Sequence, residues 1–152
     1  MTGISEIDFS LSVHQRISRP TARWASLNGT FFITYVRPAV EEVNDQISVV
    51  SRWQVDDEDL NQADDSSEVV LFEVVQFTQN HNVMDLKFGP LDGYMYVASG
   101  DGGGPNGPNC LSQNLTRLEG KILRIDVDNP DPGLEYGIPT DNPYYGDSDP
   151  LV

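Results

Sequence analysis

The fold is read from one stretch, Met84-Asp85-Leu86-Lys87-Phe88-Gly89-Pro90-Leu91-Asp92-Gly93-Tyr94-Met95-Tyr96-Val97-Ala98. Met84, Leu86 and Phe88 alternate with Asp85 and Lys87, the period of a strand with one face buried. Gly89 to Gly93 is a five-residue run of glycine, proline and aspartate, whose chemistry makes a turn. Tyr94 to Ala98 is aromatic and apolar, which suits a pleated surface. Neither arm is long enough for a helix before the next glycine or proline interrupts it. The stretch therefore reads as a hairpin.

The same signals recur on both sides of it. Thr30-Phe31-Phe32-Ile33-Thr34-Tyr35-Val36 is β-branched and aromatic, and follows the turn pair Asn28-Gly29. Residues 46–55 place Ile47, Val49, Ser51, Trp53 and Val55 on one face, and residues 68–75 form a short apolar run. Residues 121–127, Lys121-Ile122-Leu123-Arg124-Ile125-Asp126-Val127, alternate again. That makes about six strands, with no convincing helical period anywhere. The 10 prolines and 13 glycines break the chain into short pieces. An all-β architecture follows, as a sandwich, barrel or propeller. A turn glycine followed by an aromatic strand occurs twice, at 28–35 and 92–99, a loose repeat that suits a propeller.

Length and charge narrow the function. The 152 residues suit one ordinary domain with a real core. Lys plus Arg is 9 and Asp plus Glu is 24, a net charge of −15. So acidic a chain offers no counterion-releasing surface for a nucleic acid and no basic face for an anionic membrane. No apolar run approaches the roughly 18 residues of a membrane helix, so no membrane insertion is expected. Cys110 is the single cysteine, which excludes an internal disulfide and leaves the redox compartment open. Residues 1–6 have neither the basic region nor the apolar core of a signal peptide, so an export signal would lie upstream. The acidic loop over 56–67 reads as a solvated surface loop or a short helical turn. Its oxygen ligands lack a calcium-loop spacing, and Asp126, Asp128, Asn129 and Asp131 read likewise as a solvated turn.

Chemistry concentrates between Asn80 and Pro143. In order come Asn80-His81, Phe88-Gly89-Pro90-Leu91-Asp92-Gly93-Tyr94-Met95-Tyr96-Val97, Gly100-Asp101-Gly102-Gly103, Gln113-Asn114, Gly120-Lys121-Ile122-Leu123-Arg124-Ile125-Asp126, and Ile138-Pro139-Thr140-Asp141-Asn142-Pro143. Each piece alone is weak. Together, in this order and spacing, they resemble the glucose/sorbosone dehydrogenase family, the soluble quinoprotein sugar dehydrogenases. Phe31 to Tyr35, Val50-Ser51-Arg52-Trp53 and Glu68-Val69-Val70-Leu71 resemble the family's preceding blade, so the likeness covers most of the chain.

The resemblance implies part of a six-bladed β-propeller of four-stranded antiparallel blades. Residues 1–79 would be the preceding blade region and 80–152 the motif-bearing one. It further implies oxidation of an aldose at its anomeric carbon to a lactone, with pyrroloquinoline quinone (PQQ) and calcium as cofactors, a sugar as partner, and a periplasmic or secreted location. His81 matches the family's catalytic base, a role suited to a neutral imidazole. Alone it would read as a surface or capping histidine. Asp101 matches the carboxylate beside that base and equally serves as a turn residue. Asn80 reads as a cofactor or sugar contact or as a turn residue, and Gln113 as a substrate contact or, more readily, a loop hydrogen bond. Val83-Met84 departs from the family's Gly-Gly after the histidine, which bears on the shape of the site. Gly102 to Gly104, with the prolines and glycine that follow, reads as a flexible loop without the lysine and helix of a P-loop. His14 matches no motif and reads as a surface residue. The cofactor-clamping and calcium residues of the family are expected outside this chain, which alone is expected to be inactive. The competing reading is a catalytically silent propeller that binds a ligand or a protein, since fold does not fix function.

Overall fold

The computed structural model describes residues 14–15, 29–39, 46–59, 62–78, 80–103 and 110–146. Seven strands follow one another: β1 (His14–Gln15), β2 (Thr30–Pro38), β3 (Gln46–Gln54), β4 (Val69–Gln76), β5 (Val83–Phe88), β6 (Met95–Ser99) and β7 (Ile122–Ile125). One 3-10 turn, Leu111–Gln113, is the only helical piece among the described residues. Strands β1 to β4 form a four-stranded sheet in sequence order, and β5 to β7 a three-stranded one. Every pairing is antiparallel. Such up-and-down sheets are the parts of which propeller blades are made.

All six expected strands are present within a residue or two of their expected ends. The expected hairpin forms with Phe88 opposite Met95. Its turn closes through Gly89 N–H to the Tyr94 carbonyl at 2.8 Å, and Gly93 N–H to the Gly89 carbonyl at 3.0 Å. β1 was not expected. His14 and Gln15 carry no strand propensity, and they are extended because they pair with Phe32 and Phe31. Asn28, half of the expected turn pair, lies outside the described residues.

β3 departs from the alternation in its sequence. Ser48, Val49, Val50 and Ser51 are all buried, so both faces of the strand are covered. Neighbouring strands flank it on each side, β2 in unbroken register and β4 with a bulge between Val50 and Ser51. A small serine on each face, Ser48 on one and Ser51 on the other, lets it be packed closely beside the valines.

The two sheets share one core. Phe32, Val50, Leu71 and Val74 from the first pack with Leu86, Met95, Val97, Ile125 and Val127 from the second. Edge-to-face rings bridge them, Phe32 with Phe88 at 5.6 Å and Phe72 with Tyr136 at 5.7 Å. The acidic loop after β3 is a surface turn in which Asp56 Oδ1 accepts the N–H groups of Glu58 and Asp59 at 2.7 and 2.8 Å. No helix among the described residues is long and apolar enough to cross a membrane.

Candidate active site

Strand pairing brings together residues twenty apart in sequence. β5 and β6 run antiparallel with Val83 opposite Ser99. The residues just before β5 and just after β6 must therefore be neighbours. His81 stands in the first group and Asp101 in the second. Two backbone bonds lock the strand ends, Gly100 N–H to the Asn82 carbonyl and Gly102 N–H to the His81 carbonyl, each at 3.1 Å. A Cβ on residue 100 would lie 1.9 Å from the His81 carbonyl oxygen, so only glycine fits there. His81 itself has φ of 56°, a left-handed conformation that few non-glycine residues adopt. The close approach of the two loops holds it there, and such strain is concentrated at functional sites.

His81 Nδ1 lies 2.8 Å from Asp101 Oδ1. The same carboxylate oxygen accepts the Gly103 N–H at 3.0 Å. The Gly103 N–H first, and the imidazole second, hold the Asp101 carboxyl below the usual carboxylate range. The His81 side chain is 57% exposed, so the ring is reachable from solvent. With the proton on Nδ1, directed at the carboxylate, Nε2 is left as a lone-pair acceptor. The pair is thus arranged to take up a proton and to stabilise the imidazolium that results.

Asn80 lies in the loop before β5. Its side chain and carbonyl face Thr78 Oγ1, at 2.7 Å from Oδ1 and 3.2 Å from the carbonyl oxygen. Gln113 sits exposed at the end of the 3-10 turn, where its backbone N–H donates to the Cys110 carbonyl at 3.1 Å. Cys110 is exposed and free. Val83 and Met84 open β5 at a bulge, where the register shifts between Val83 and Asp85. The expected flexible glycine loop is held at its start. Gly102 and Gly103 are buried, with φ of 79° and 80°. Gly104 and the residues to 109 lie outside the described residues.

Further residues support the arrangement. Beneath the two loops, Asn82 Nδ2 donates to Gln46 Oε1 at 2.9 Å, and Gln46 stands opposite Gln76 across the β3–β4 pair. Gln76 is fully buried, with both amide ends lacking a partner among the described residues. The 3-10 turn is anchored by Lys121, whose Nζ donates to the carbonyls of Leu111 at 3.0 Å and Glu119 at 2.8 Å. Burial lowers the Lys121 pKa. Glu119, also buried, is gripped by Arg117 through two bonds. Arg124 donates to Asn142 Oδ1 at 2.7 Å, and Asn142 Nδ2 returns a bond to the Arg124 carbonyl at 3.1 Å. These last contacts pin the 138–143 loop to β7, so the arginine of one motif and the asparagine of the next are scaffold.

Among the described residues no three His, Cys, Asp or Glu side chains converge on a metal-sized point. A cavity of about 420 Å³ lies along β7 between Phe72, Tyr96, Leu118, Leu123 and Tyr136. None of His81, Asp101, Asn80 or Gln113 lines it. It is an apolar groove, not the place where the titratable pair could act.

The sequence profile of the Glucose / Sorbosone dehydrogenase family matches residues 22–151. The HIPL1 protein of Arabidopsis thaliana is 42% identical over 79 residues, which cover 46% of this chain and 11% of that protein. The Hedgehog-interacting protein of Mus musculus is 30% identical over 122 residues, 78% of this chain and 17% of that protein. The chain thus spans only a small part of these relatives. A solved glucose dehydrogenase superposes with a TM-score of 0.60 at 22% identity, over 82% of this chain and 32% of that one. At that identity the likeness concerns the fold. It is the likeness of a partial propeller.

Proposed function

The chain belongs to the glucose/sorbosone dehydrogenase family, and on that premise we propose that it carries the proton-accepting part of a sugar dehydrogenase site. The observation that supports this is the 2.8 Å pair of His81 Nδ1 and Asp101 Oδ1 on two locked loops. Oxidation of an aldose at its anomeric carbon removes a hydride from carbon and a proton from the attached hydroxyl. Hydride departs readily only as the hydroxyl proton leaves. His81 Nε2 takes that proton, and the Asp101 carboxylate stabilises the imidazolium. Asn80 shapes the loop, and Gln113 is an exposed polar side chain available to a sugar hydroxyl.

PQQ and calcium are the cofactors that the family implies. The described residues do not complete a site for either. They offer no converging set of metal ligands, and Arg117, Lys121 and Arg124 are engaged with protein groups. The proposal for this chain is therefore confined to the proton. It includes a sugar as substrate, an exported location, and the two sheets as parts of adjacent blades divided near residue 79.

The test uses a longer protein containing this chain. Quinone- and calcium-dependent dye reduction with an aldose should fall at least about 100-fold in His81→Ala. An unchanged rate would show that His81 is not the base. The 152-residue chain alone should give no turnover. A second reading is favoured by one comparison, the 30% identity to a protein named for its interaction with Hedgehog. In that reading the propeller binds a protein or ligand and does no chemistry. A folded longer protein with no dye reduction on any aldose, quinone and calcium supplied, would decide for it.

A further inference from the structure

Asp101 is held by a peptide group that two glycines would otherwise leave free to turn. The peptide between Gly102 and Gly103 carries the Gly102 carbonyl on one side and the Gly103 N–H on the other. The N–H donates to Asp101 Oδ1 at 3.0 Å. Both flanking residues are glycines in left-handed conformation. A rotation of this peptide plane meets no side chain of its own, and it would carry the N–H away from the carboxylate. Something outside the loop must fix the plane.

Thr78 is placed to do so. Its Oγ1 lies 2.7 Å from the Gly102 carbonyl oxygen, across 24 residues of sequence. The same hydroxyl lies 2.7 Å from the Asn80 carboxamide. One hydroxyl has one proton and cannot donate to two oxygens. With the amide nitrogen of Asn80 turned toward Thr78, every group is satisfied: Asn80 Nδ2–H donates to Thr78 Oγ1, and Thr78 donates to Gly102. Space is reserved for this contact. A Cβ on residue 103 would stand 2.1 Å from both Thr78 Oγ1 and the Asn80 carboxamide.

We infer that Thr78 is a positioning residue for the His81–Asp101 pair, its hydroxyl fixing the Gly102–Gly103 peptide whose N–H holds the Asp101 carboxylate. A donor on the carbonyl side of a peptide also strengthens what its N–H donates, so the chain Asn80, Thr78, Gly102–Gly103, Asp101, His81 acts as one hydrogen-bonded line. The inference rests on the reading of His81 as the base, and it concerns what holds that base in place.

The test is nuclear magnetic resonance on the 152-residue chain, which needs no turnover. Two signals are followed, the pH titration of the Asp101 carboxyl carbon and the ring-nitrogen shifts of His81 at alkaline pH. In the wild type Asp101 should titrate below the ordinary value of about 3.9, with the neutral ring carrying its proton on Nδ1. In Thr78→Val the Asp101 midpoint should rise toward about 3.9 and the ring should lose its Nδ1–H preference. Thr78→Ser, which keeps the hydroxyl, should restore both. Wild-type signals in Thr78→Val would overturn the inference. Should that variant fail to fold, Thr78→Ala against Thr78→Ser decides by the same criterion. Asp101→Ala, which removes the acceptor, separates the two claims. If it leaves the His81 tautomer unchanged, the pair itself fails and the base assignment with it. If it shifts the tautomer while the Thr78 variants do not, only the role of Thr78 fails.

Discussion

A carboxylate whose pKa is lowered on folding gives stability that depends on pH, and Asp101 is such a group. Its native carboxyl, bonded by Gly103 N–H and His81, lies below the usual carboxylate range. The unfolded chain binds the proton more tightly, so the contribution is fully present above the unfolded value of about 3.9 and is lost as pH falls through the native value. Asp101→Asn should therefore be less stable than wild type at neutral pH. The gap in denaturation midpoint should close as pH drops below about 3.9, and a gap that stayed constant with pH would refute the linkage. Gly103 is the second sensitive residue. With φ of 80° and no room for a Cβ, Gly103→Ala should cost about 1–3 kcal/mol by thermal unfolding. The nearness of His81 and Asp101 was legible in sequence through motif order. The left-handed backbone at His81 and the contact of Thr78 with Gly102 were not. A positive φ outside glycine has no compositional mark, and a hydrogen bond across 24 residues exists only once β5 and β6 have paired.

Elements were legible where side-chain period and strand geometry coincide. Met84 to Ala98 alternate, turn and resume, and they fold into the hairpin that this pattern describes. β3 shows where period fails, because Ser48 and Ser51 are buried as fully as Val49 and Val50. Polar residues on a strand predict an open face, but serine is small enough to be covered by a neighbouring layer. β1 shows the opposite failure, a pair of residues made a strand by partners alone. Burial within the hairpin separates two leucines five apart. Leu86, with no exposed surface, joins the shared core, whereas Leu91 at the turn tip is 91% exposed. Leu86→Ala should lower the unfolding free energy by about 2–5 kcal/mol, and Leu91→Ala should stay within about 0.5 kcal/mol. Denaturant titration of both variants checks this. Equal losses would mean that the turn, not the shared core, secures the hairpin.

At the scale of the whole molecule, the net charge of −15 acts on every contact at once. Most described cations already have acidic partners: Arg37 with Glu73, Arg52 with Glu135, Lys87 with Asp85, Arg117 with Glu119 and Arg124 with Asp141. The remaining carboxylates have few cations left to meet and repel one another in the folded state more than in an expanded chain. Added salt weakens both effects. Exposed ion pairs contribute only about 0–1 kcal/mol each, and the Arg117–Glu119 pair is shielded because Glu119 is buried. With 24 carboxylates against nine cations, the repulsion is summed over many charges, and a Debye length of about 8 Å screens its long-range part. Relief of repulsion therefore outweighs loss of attraction. Raising sodium chloride from about 10 mM, where the Debye length is about 30 Å, to 150 mM should raise Tm by several degrees, on the order of 1 kcal/mol in a domain of this size. The measurement is thermal unfolding at pH 7 across a salt series, with a neutral osmolyte as control. A Tm that fell with salt would mean that the ion pairs, and not the excess charge, dominate the electrostatics of the fold.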